Sequence, residues 1–265
     1  MPHPLTGKTI IITGGAGGLG RELIRQLLTL HVNVAAFDLN VSTLPEHENL
    51  LSIALDITQT SKLEQAVQQV HQRFGQIDGL INNAGITHMS RFENTSEQLF
   101  DTIMQVNFTA SVELTRFCLP HLKQQRGQIV AISSVAGFAP LYGRSAYAAS
   151  KHALEGFFRS LRSELADDNV SVLIVSPSFI RSRPELNAQV NNGISSPGAN
   201  KKSTGGDELS PEFAASKIIL AMIKRKPLLR LGKVSVIAWW LSTLLPAFYQ
   251  HLMVKGAKKE FIEDE

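Results

Sequence analysis

Tyr147 and Lys151 stand four residues apart in Tyr-Ala-Ala-Ser-Lys, a spacing that puts both side chains on one face of a helix. A phenol ordinarily titrates near 10 and is a poor base at neutral pH. A neighbouring ammonium stabilises the phenolate and so equips such a pair for proton transfer. Tyr-x-x-x-Lys is common, so its meaning depends on the elements that surround it.

A second chemically suggestive run lies near the start of the chain: Thr13-Gly14-Gly15-Ala16-Gly17-Gly18-Leu19-Gly20. It falls between an apolar strand, Thr9 to Ile12, and a helix opening at Gly18 with Leu19, Leu23, Leu27 and Leu30 on one face. Glycine permits the positive φ of a tight turn and lets a pyrophosphate approach the backbone. The helix start then offers unpaired N–H groups and a positive dipole to the anion. Asp38 ends the next strand, where a carboxylate can accept from an adenosine ribose and would repel a 2′-phosphate. That favours NAD(H) as cofactor, without excluding NADP(H).

The elements that must hold these residues alternate. Strands are expected at Val32–Phe37, Leu50–Leu55, Gly79–Ile81, Gln128–Ile132 and Val170–Val175, and helices at Ser61–Phe74, Ser96–Lys123 and Tyr147–Leu165. This alternation predicts an α/β fold: a three-layer, doubly wound parallel sheet with right-handed crossovers. The expected layout is one domain over 1–232 and a hydrophobic C-terminal helical extension with a charged tail over 233–265. The Pro-, Gly-, Asn- and Ser-rich stretch around 183–210 lacks apolar periodicity, and its place after the sixth strand suggests a substrate lid.

Composition sets bounds on function. With 43% hydrophobic and 18% charged residues the chain is ordinary globular material, and its 265 residues can bury a large core. A formal charge of +3, with scattered Lys and Arg, gives no footprint for nucleic acid. The single cysteine, Cys118, excludes an internal disulfide and reads as a buried thiol in a helix. His31, His71, His88, His121 and His152 show no metal-ligand spacing, so no metal is expected. The first eight residues lack a signal-peptide pattern, which predicts a cytoplasmic protein.

Taken together, the motifs from Lys8 to Leu231 resemble the short-chain dehydrogenase/reductase family, which has a Rossmann fold. Thr13-Gly14-xxx-Gly18-x-Gly20 looks like its cofactor loop, with Gly15, Gly17 and Leu19 in the same turn, and Asp56 and Ile57 look like its adenine contact. Asn82-Asn83-Ala84-Gly85 is similar to the segment that steadies the sheet beside the adenosine. Asn107 matches the family's active-site asparagine. Ser134, 13 residues before Tyr147, holds its serine position, with Ser133 a lower-ranked alternative.

The resemblance implies that Ser134 polarises a substrate oxygen while Tyr147 exchanges its proton and hydride passes to or from nicotinamide. Lys151 would hold the nicotinamide ribose and tune Tyr147, and Asn107, through a water, would link Lys151 to solvent protons. Pro177, Ile180 and Ser182 fall where the family contacts the nicotinamide; Ser178 replaces its glycine there, and the added β-carbon is expected to restrict φ or tighten the pocket. The expected activity is interconversion of a lipophilic alcohol and its ketone or aldehyde, in a homodimer or homotetramer. Epimerisation or dehydration on the same scaffold, and a non-catalytic nucleotide-sensing module, are the alternatives.

Val234 to Val254 carries no formally charged residue and lies between Lys233 and Lys255. Three roles fit it: a membrane-spanning helix, a core or subunit-interface helix, and an amphipathic helix on a membrane surface. The tryptophan pair, Tyr249 and the basic flanks favour the last, tempered by four acids between Glu260 and Glu265.

Overall fold

The computed structural model describes residues 3–181 and 208–262. Its centre is a seven-stranded, wholly parallel sheet in the order β3-β2-β1-β4-β5-β6-β9. The strands are β1 (Thr9–Thr13), β2 (Asn33–Asp38), β3 (Leu50–Ala54), β4 (Gly79–Asn82), β5 (Gln128–Ile132), β6 (Ser171–Pro177) and β9 (Leu228–Leu231). A separate parallel pair joins β7 (Phe179–Ile180) to β8 (Glu208–Leu209).

Because side chains alternate across a strand, each apolar strand feeds two cores. Ile11, Phe37, Leu80 and Ile129 face one layer, made by α2 (Thr60–Phe74), α4 (Ala110–Gln125) and α5 (Ser145–Glu164). Ile10, Ile12, Val34 and Val130 face the other, made by α1 (Gly18–Thr29) and α6 (Pro211–Ile223). The strand order reverses at β1, so the crevice that opens at the carboxyl ends of β1 and β4 is the ligand-binding position of such a sheet.

Several expectations change. The helix expected over Ser96–Lys123 consists of α3 (Glu97–Met104), a π-helical turn over Gln105–Thr109 and α4, with Asn107 in the middle of the π turn. Pro120 sits within α4 without ending it before Gln125. The expected lid loses its last three residues, since Glu208 and Leu209 form β8 and the Ser210 hydroxyl caps α6 by accepting from the Phe213 amide at 3.1 Å. Residues 183–207, the remainder of that segment, and Ser182 lie outside the described residues. Helix α6 and strand β9 complete the sheet beyond the six strands expected; β9, Leu-Leu-Arg-Leu, is too short and too interrupted by charge to show a strand period.

Pro246 divides the uncharged C-terminal stretch. Helix α7 (Lys233–Leu244) has 12 residues and α8 (Pro246–Ile262) has 17. At 1.5 Å per residue, α7 is about 18 Å long against about 30 Å of hydrocarbon. Among the described residues no helix is long and apolar enough to cross a membrane, which removes the spanning role. The pair packs instead on the turn after β5: Ala238 and Tyr249 are buried with Val135 and Ala139, and Phe138, Leu141, Leu241 and Met253 close around them. Val236, Ile237, Trp240, Leu244, Leu245, Phe248 and Leu252 of the same segment are left in solvent.

Candidate active site

Helix α5 carries Tyr147 in its first turn and Lys151 one turn later, both almost fully buried, with side chains toward the carboxyl end of β5. Ser134 lies near enough for its hydroxyl to favour the Tyr147 phenolate, and its Oγ accepts from the Ala136 amide at 3.2 Å. Lys151 Nζ donates to the Ile132 carbonyl at 2.9 Å. Ser133, the alternative serine, points elsewhere, its Oγ donating to Glu155 Oε1 at 3.0 Å. Of the two adjacent serines, Ser134 is therefore the one brought to Tyr147.

The π turn presents Asn107 to the same place. Its Oδ1 accepts from the Ile86 amide at 2.8 Å, and its Nδ2 donates to the Ile86 carbonyl and the Ser150 hydroxyl, both at 2.9 Å. Ser150 Oγ in turn donates to the Tyr147 carbonyl at 2.8 Å. A β-carbon on Gly85 would lie 3.3 Å from Asn107 Oδ1 and 3.4 Å from Lys151 Nζ, so only a bare backbone fits comfortably between them. Single-turn π-bulges recur at functional sites because the inserted residue re-aims a side chain.

Burial sets the electrostatics. It pushes the Tyr147 hydroxyl up from its ordinary value, an effect opposed by the Ser134 hydroxyl and the nearby Arg144 charge. It pulls Lys151 down from 10.5 to about 8. Arg144 is braced by donating to the Thr87 hydroxyl at 2.8 Å, across the cleft from α5. Asp56 is pushed up by burial, but bonds from Thr58 and Gln59 and the Lys62 charge outweigh this and lower it.

The glycine loop fits a dinucleotide phosphate. Gly14 holds φ +65°, and a β-carbon on Gly20 would stand 2.1 Å from the Gly14 carbonyl oxygen. Gly17 caps α1 with no side-chain bond, leaving the first-turn amides of Gly18, Leu19 and Gly20 for an anion. The Gly15 amide donates to the Phe37 carbonyl at 3.2 Å. Asp38 Oδ2 accepts from the Ala16 amide at 2.9 Å, which ties the end of β2 to the loop. Thr13 Oγ1 accepts from the Asn83 and Ala84 amides, both at 3.0 Å, and Asn83 Nδ2 donates to the Thr13 and Gly14 carbonyls. Thr13 and Asn83 thus lock the carboxyl ends of β1 and β4 together below the loop.

Of the residues expected to meet the nicotinamide, Pro177 is buried at the end of β6, and Ile180 packs half-buried in β7. The Ser178 amide donates to the Leu231 carbonyl at 2.8 Å. Among the described residues the non-glycine positions with positive φ are His31, Arg126, Asn169 and Arg225, so Ser178 keeps an ordinary backbone and the expected restriction on φ is absent. Ile57 packs half-buried against the α2 layer. His71 and His121 stack, with ring centres 4.6 Å apart, on the far side of that layer.

Glu155 was not anticipated. It lies one more turn along the Tyr147–Lys151 face, and a carboxylate between Leu154 and Phe158 on a buried helix face is the signal that could have marked it. The π turn had no such signal, because no residue type announces an inserted residue in a helix.

A family model for short chain dehydrogenases matches residues 8–193. A dehydrogenase/reductase SDR family protein 7-like of Anopheles gambiae is 35% identical over 272 residues, covering 96% of this chain and 84% of its own. The dehydrogenase/reductase SDR family member 7B of Rattus norvegicus is 31% identical over 271 residues, covering 97% and 83%. Among solved structures, a short-chain dehydrogenase from Streptomyces avermitilis has a TM-score of 0.74 and 26% identity, covering 97% of this chain and 98% of its own. One from Burkholderia cenocepacia, solved in complex with NADP, has a TM-score of 0.81 at 21% identity, covering 95% and 99% and showing the shared fold.

Proposed function

Because this chain belongs to the short-chain dehydrogenase family, and so is an oxidoreductase that uses NAD(P), we propose that it interconverts an alcohol and a ketone or aldehyde with Tyr147 as the proton-transfer group. The observation that carries the reading is the buried Tyr147 beside Ser134, with Lys151 one turn away and its Nζ 5.8 Å from the tyrosine ring. Ser134 donates to the substrate oxygen and holds it beside the phenol. Tyr147 gives its proton to that oxygen on reduction and takes it back on oxidation. Lys151 supplies positive charge below the phenol, and Asn107 positions it through the Gly85–Ile86 backbone. Nicotinamide, when bound, supplies or accepts the hydride.

Thr13, Gly14, Gly15, Gly17, Gly18, Leu19 and Gly20 would hold the pyrophosphate, Asp38 the adenosine ribose, Asp56 and Ile57 the adenine, and Asn83, Ala84 and Gly85 the floor beneath. Pro177, Ile180 and Ser182 would meet the nicotinamide. The carboxylate at the end of β2 supports NAD(H) over NADP(H).

A lipophilic substrate and peripheral contact of 234–254 with a membrane belong to the same reading. They are supported by the exposed apolar face of α7 and α8 and by its attachment to Phe138 and Leu141, beside Ser134. Assembly as a homodimer or homotetramer through α4 and α5 is part of it too.

The test is an NADH-linked screen across lipophilic and hydrophilic alcohols and ketones, run beside Tyr147→Phe. The expected result is net NADH turnover on at least one lipophilic pair, lost by about a thousandfold in the variant while NADH still binds. Near-normal turnover in Tyr147→Phe overturns the assignment.

A further inference from the structure

The chemical face of α5 continues past Lys151. Tyr147, Lys151 and Glu155 recur every four residues, and each adjoins one of three consecutive residues at the end of β5. Tyr147 lies by Ser134, Lys151 donates to the Ile132 carbonyl, and Glu155 accepts from the Ser133 hydroxyl. Glu155 is only 3% exposed. Its Oε1 accepts from Ser133 Oγ at 3.0 Å and from Ser176 Oγ of β6 at 2.9 Å, and its Oε2 from Arg159 at 2.7 Å. The charges that face it are Arg159 on its own helix and Arg230 on β9.

Burying a carboxylate costs several kcal/mol unless bonds and charge compensate, so a packing role alone would be served better by an apolar residue. The carboxylate instead knits together the backbone that carries the serine. Ser133 is held by its hydroxyl to Glu155 and by its amide to the Val175 carbonyl at 2.7 Å. Ser134 follows in extended conformation and opens the 3-10 turn Val135–Gly137. At the far end of that turn, a β-carbon on Gly137 would stand 2.8 Å from Glu155 Oε1 and 2.3 Å from Ser133 Oγ. The turn therefore rests directly on the carboxylate. A hydroxyl rotor is aimed only as well as its backbone is held.

We propose that Glu155 is a positioning residue of this active site, fixing the Ser133–Gly137 turn that aims Ser134 toward Tyr147. It acts through Ser134, and so rests on the catalytic reading given above. The arrangement also reaches the C-terminal helices, because the Ser176 carbonyl accepts from the Ser235 hydroxyl of α7 at 2.7 Å.

The test uses isotope-labelled tyrosine NMR on the cofactor-free protein, together with kinetics. There are three tyrosines, and Tyr147→Phe identifies the Tyr147 resonance. Glu155→Ala is expected to move the Tyr147 phenol-carbon signal in the direction that Ser134→Ala moves it. It should also lower kcat by roughly 10- to 100-fold with the KM for NADH unchanged. In a Ser134→Ala background it should cause no further loss, and Glu155→Gln, which keeps an oxygen for Ser133 and Ser176, should restore most of the rate. Ser133→Ala deletes only the hydroxyl that reaches Glu155 and reads the same link should Glu155→Ala not fold.

The proposal is overturned if the Tyr147 signal stays in place while only the melting temperature falls, or if the kcat loss is the same with and without Ser134. A Ser134→Ala variant of normal activity would instead remove the serine assignment on which the proposal rests, whereas an inert Ser134→Ala beside a normal Glu155→Ala sinks the positioning role alone.

Discussion

Lys151 Nζ lies 5.8 Å from the centre of the Tyr147 ring and spends a proton on the Ile132 carbonyl rather than on the phenol. Both groups are buried, and burial favours the neutral form of each: it raises Tyr147 and takes Lys151 down to about 8. The protonated phenol is thus the resting state of the cofactor-free site at neutral pH.

For carbonyl reduction, which consumes the phenol proton, the rate should be flat from about pH 6 to 8 and fall above, as Lys151 loses its charge. Initial rates across pH, compared between wild type and Lys151→Met, check this; a rate that climbs through pH 8 contradicts it. Stability has the opposite sign. Lysine in the unfolded chain stays charged up to about 10.5, while the folded site gives up its proton near 8, so the unfolded state binds more protons in between and stability rises with pH there. Below pH 8 the buried charge costs up to about 3 kcal/mol, so Lys151→Met should be relatively most stabilised at neutral pH and lose that advantage between pH 8 and 10.5 in thermal melts.

Asp38 does two things in this structure: it holds the Ala16 amide and puts a negative charge at the end of β2. Asp38→Asn keeps an oxygen for the amide and removes the charge. It should raise the ratio of NADP to NAD kcat/KM by roughly tenfold without lowering the melting temperature much. Asp38→Ala, which also frees the loop, should weaken both cofactors. An unchanged ratio in Asp38→Asn would mean that the carboxylate does not face the ribose.

Two glycines separate a required bare backbone from an incidental one. Gly20→Ala would press a methyl against the Gly14 carbonyl and should destabilise by about 1–3 kcal/mol while abolishing NADH fluorescence enhancement. Gly156→Ala, on the exposed face of α5 with nothing within 4 Å of its added carbon, should stabilise by about 0.5–1 kcal/mol and leave NADH binding alone.

The C-terminal pair offers a surface prediction. Trp240 of α7 and Phe248 of α8 are each about half exposed, at 52% and 51%. Replacing both by glutamate should reduce co-sedimentation with anionic vesicles by about tenfold or more at an unchanged melting temperature. Equal sedimentation of the two proteins would remove the membrane role and leave this face for a subunit contact.

How much of this was legible in the residues follows from how local each signal is. The strand–glycine–helix run, Asp38 at a strand end and Tyr147 with Lys151 on one helical face are short-range patterns, and they sit in the structure where the pattern put them. The β6–β9 pairing links Ser176 to Arg230, more than fifty residues along the chain, and a four-residue strand carries too little period to announce it. In the C-terminal stretch Pro246 by itself counts against a spanning helix, and α7 and α8 part there; the packing of Ala238 and Tyr249 on Val135 and Ala139 is long-range and is not registered by charge or hydropathy.

The sequence by itself determined the layered parallel fold, the cofactor loop and the identity of the tyrosine–lysine pair, since periodicity, glycine conformational freedom and helical spacing are all written within a few residues. Only the tertiary structure decided that Ser133 turns to Glu155, that a π turn delivers Asn107 to Gly85 and Lys151, and that Glu155 props the serine turn. Those outcomes depend on which side chain fills the space between β5, β6 and α5, and that space exists only once the sheet has closed against its helix.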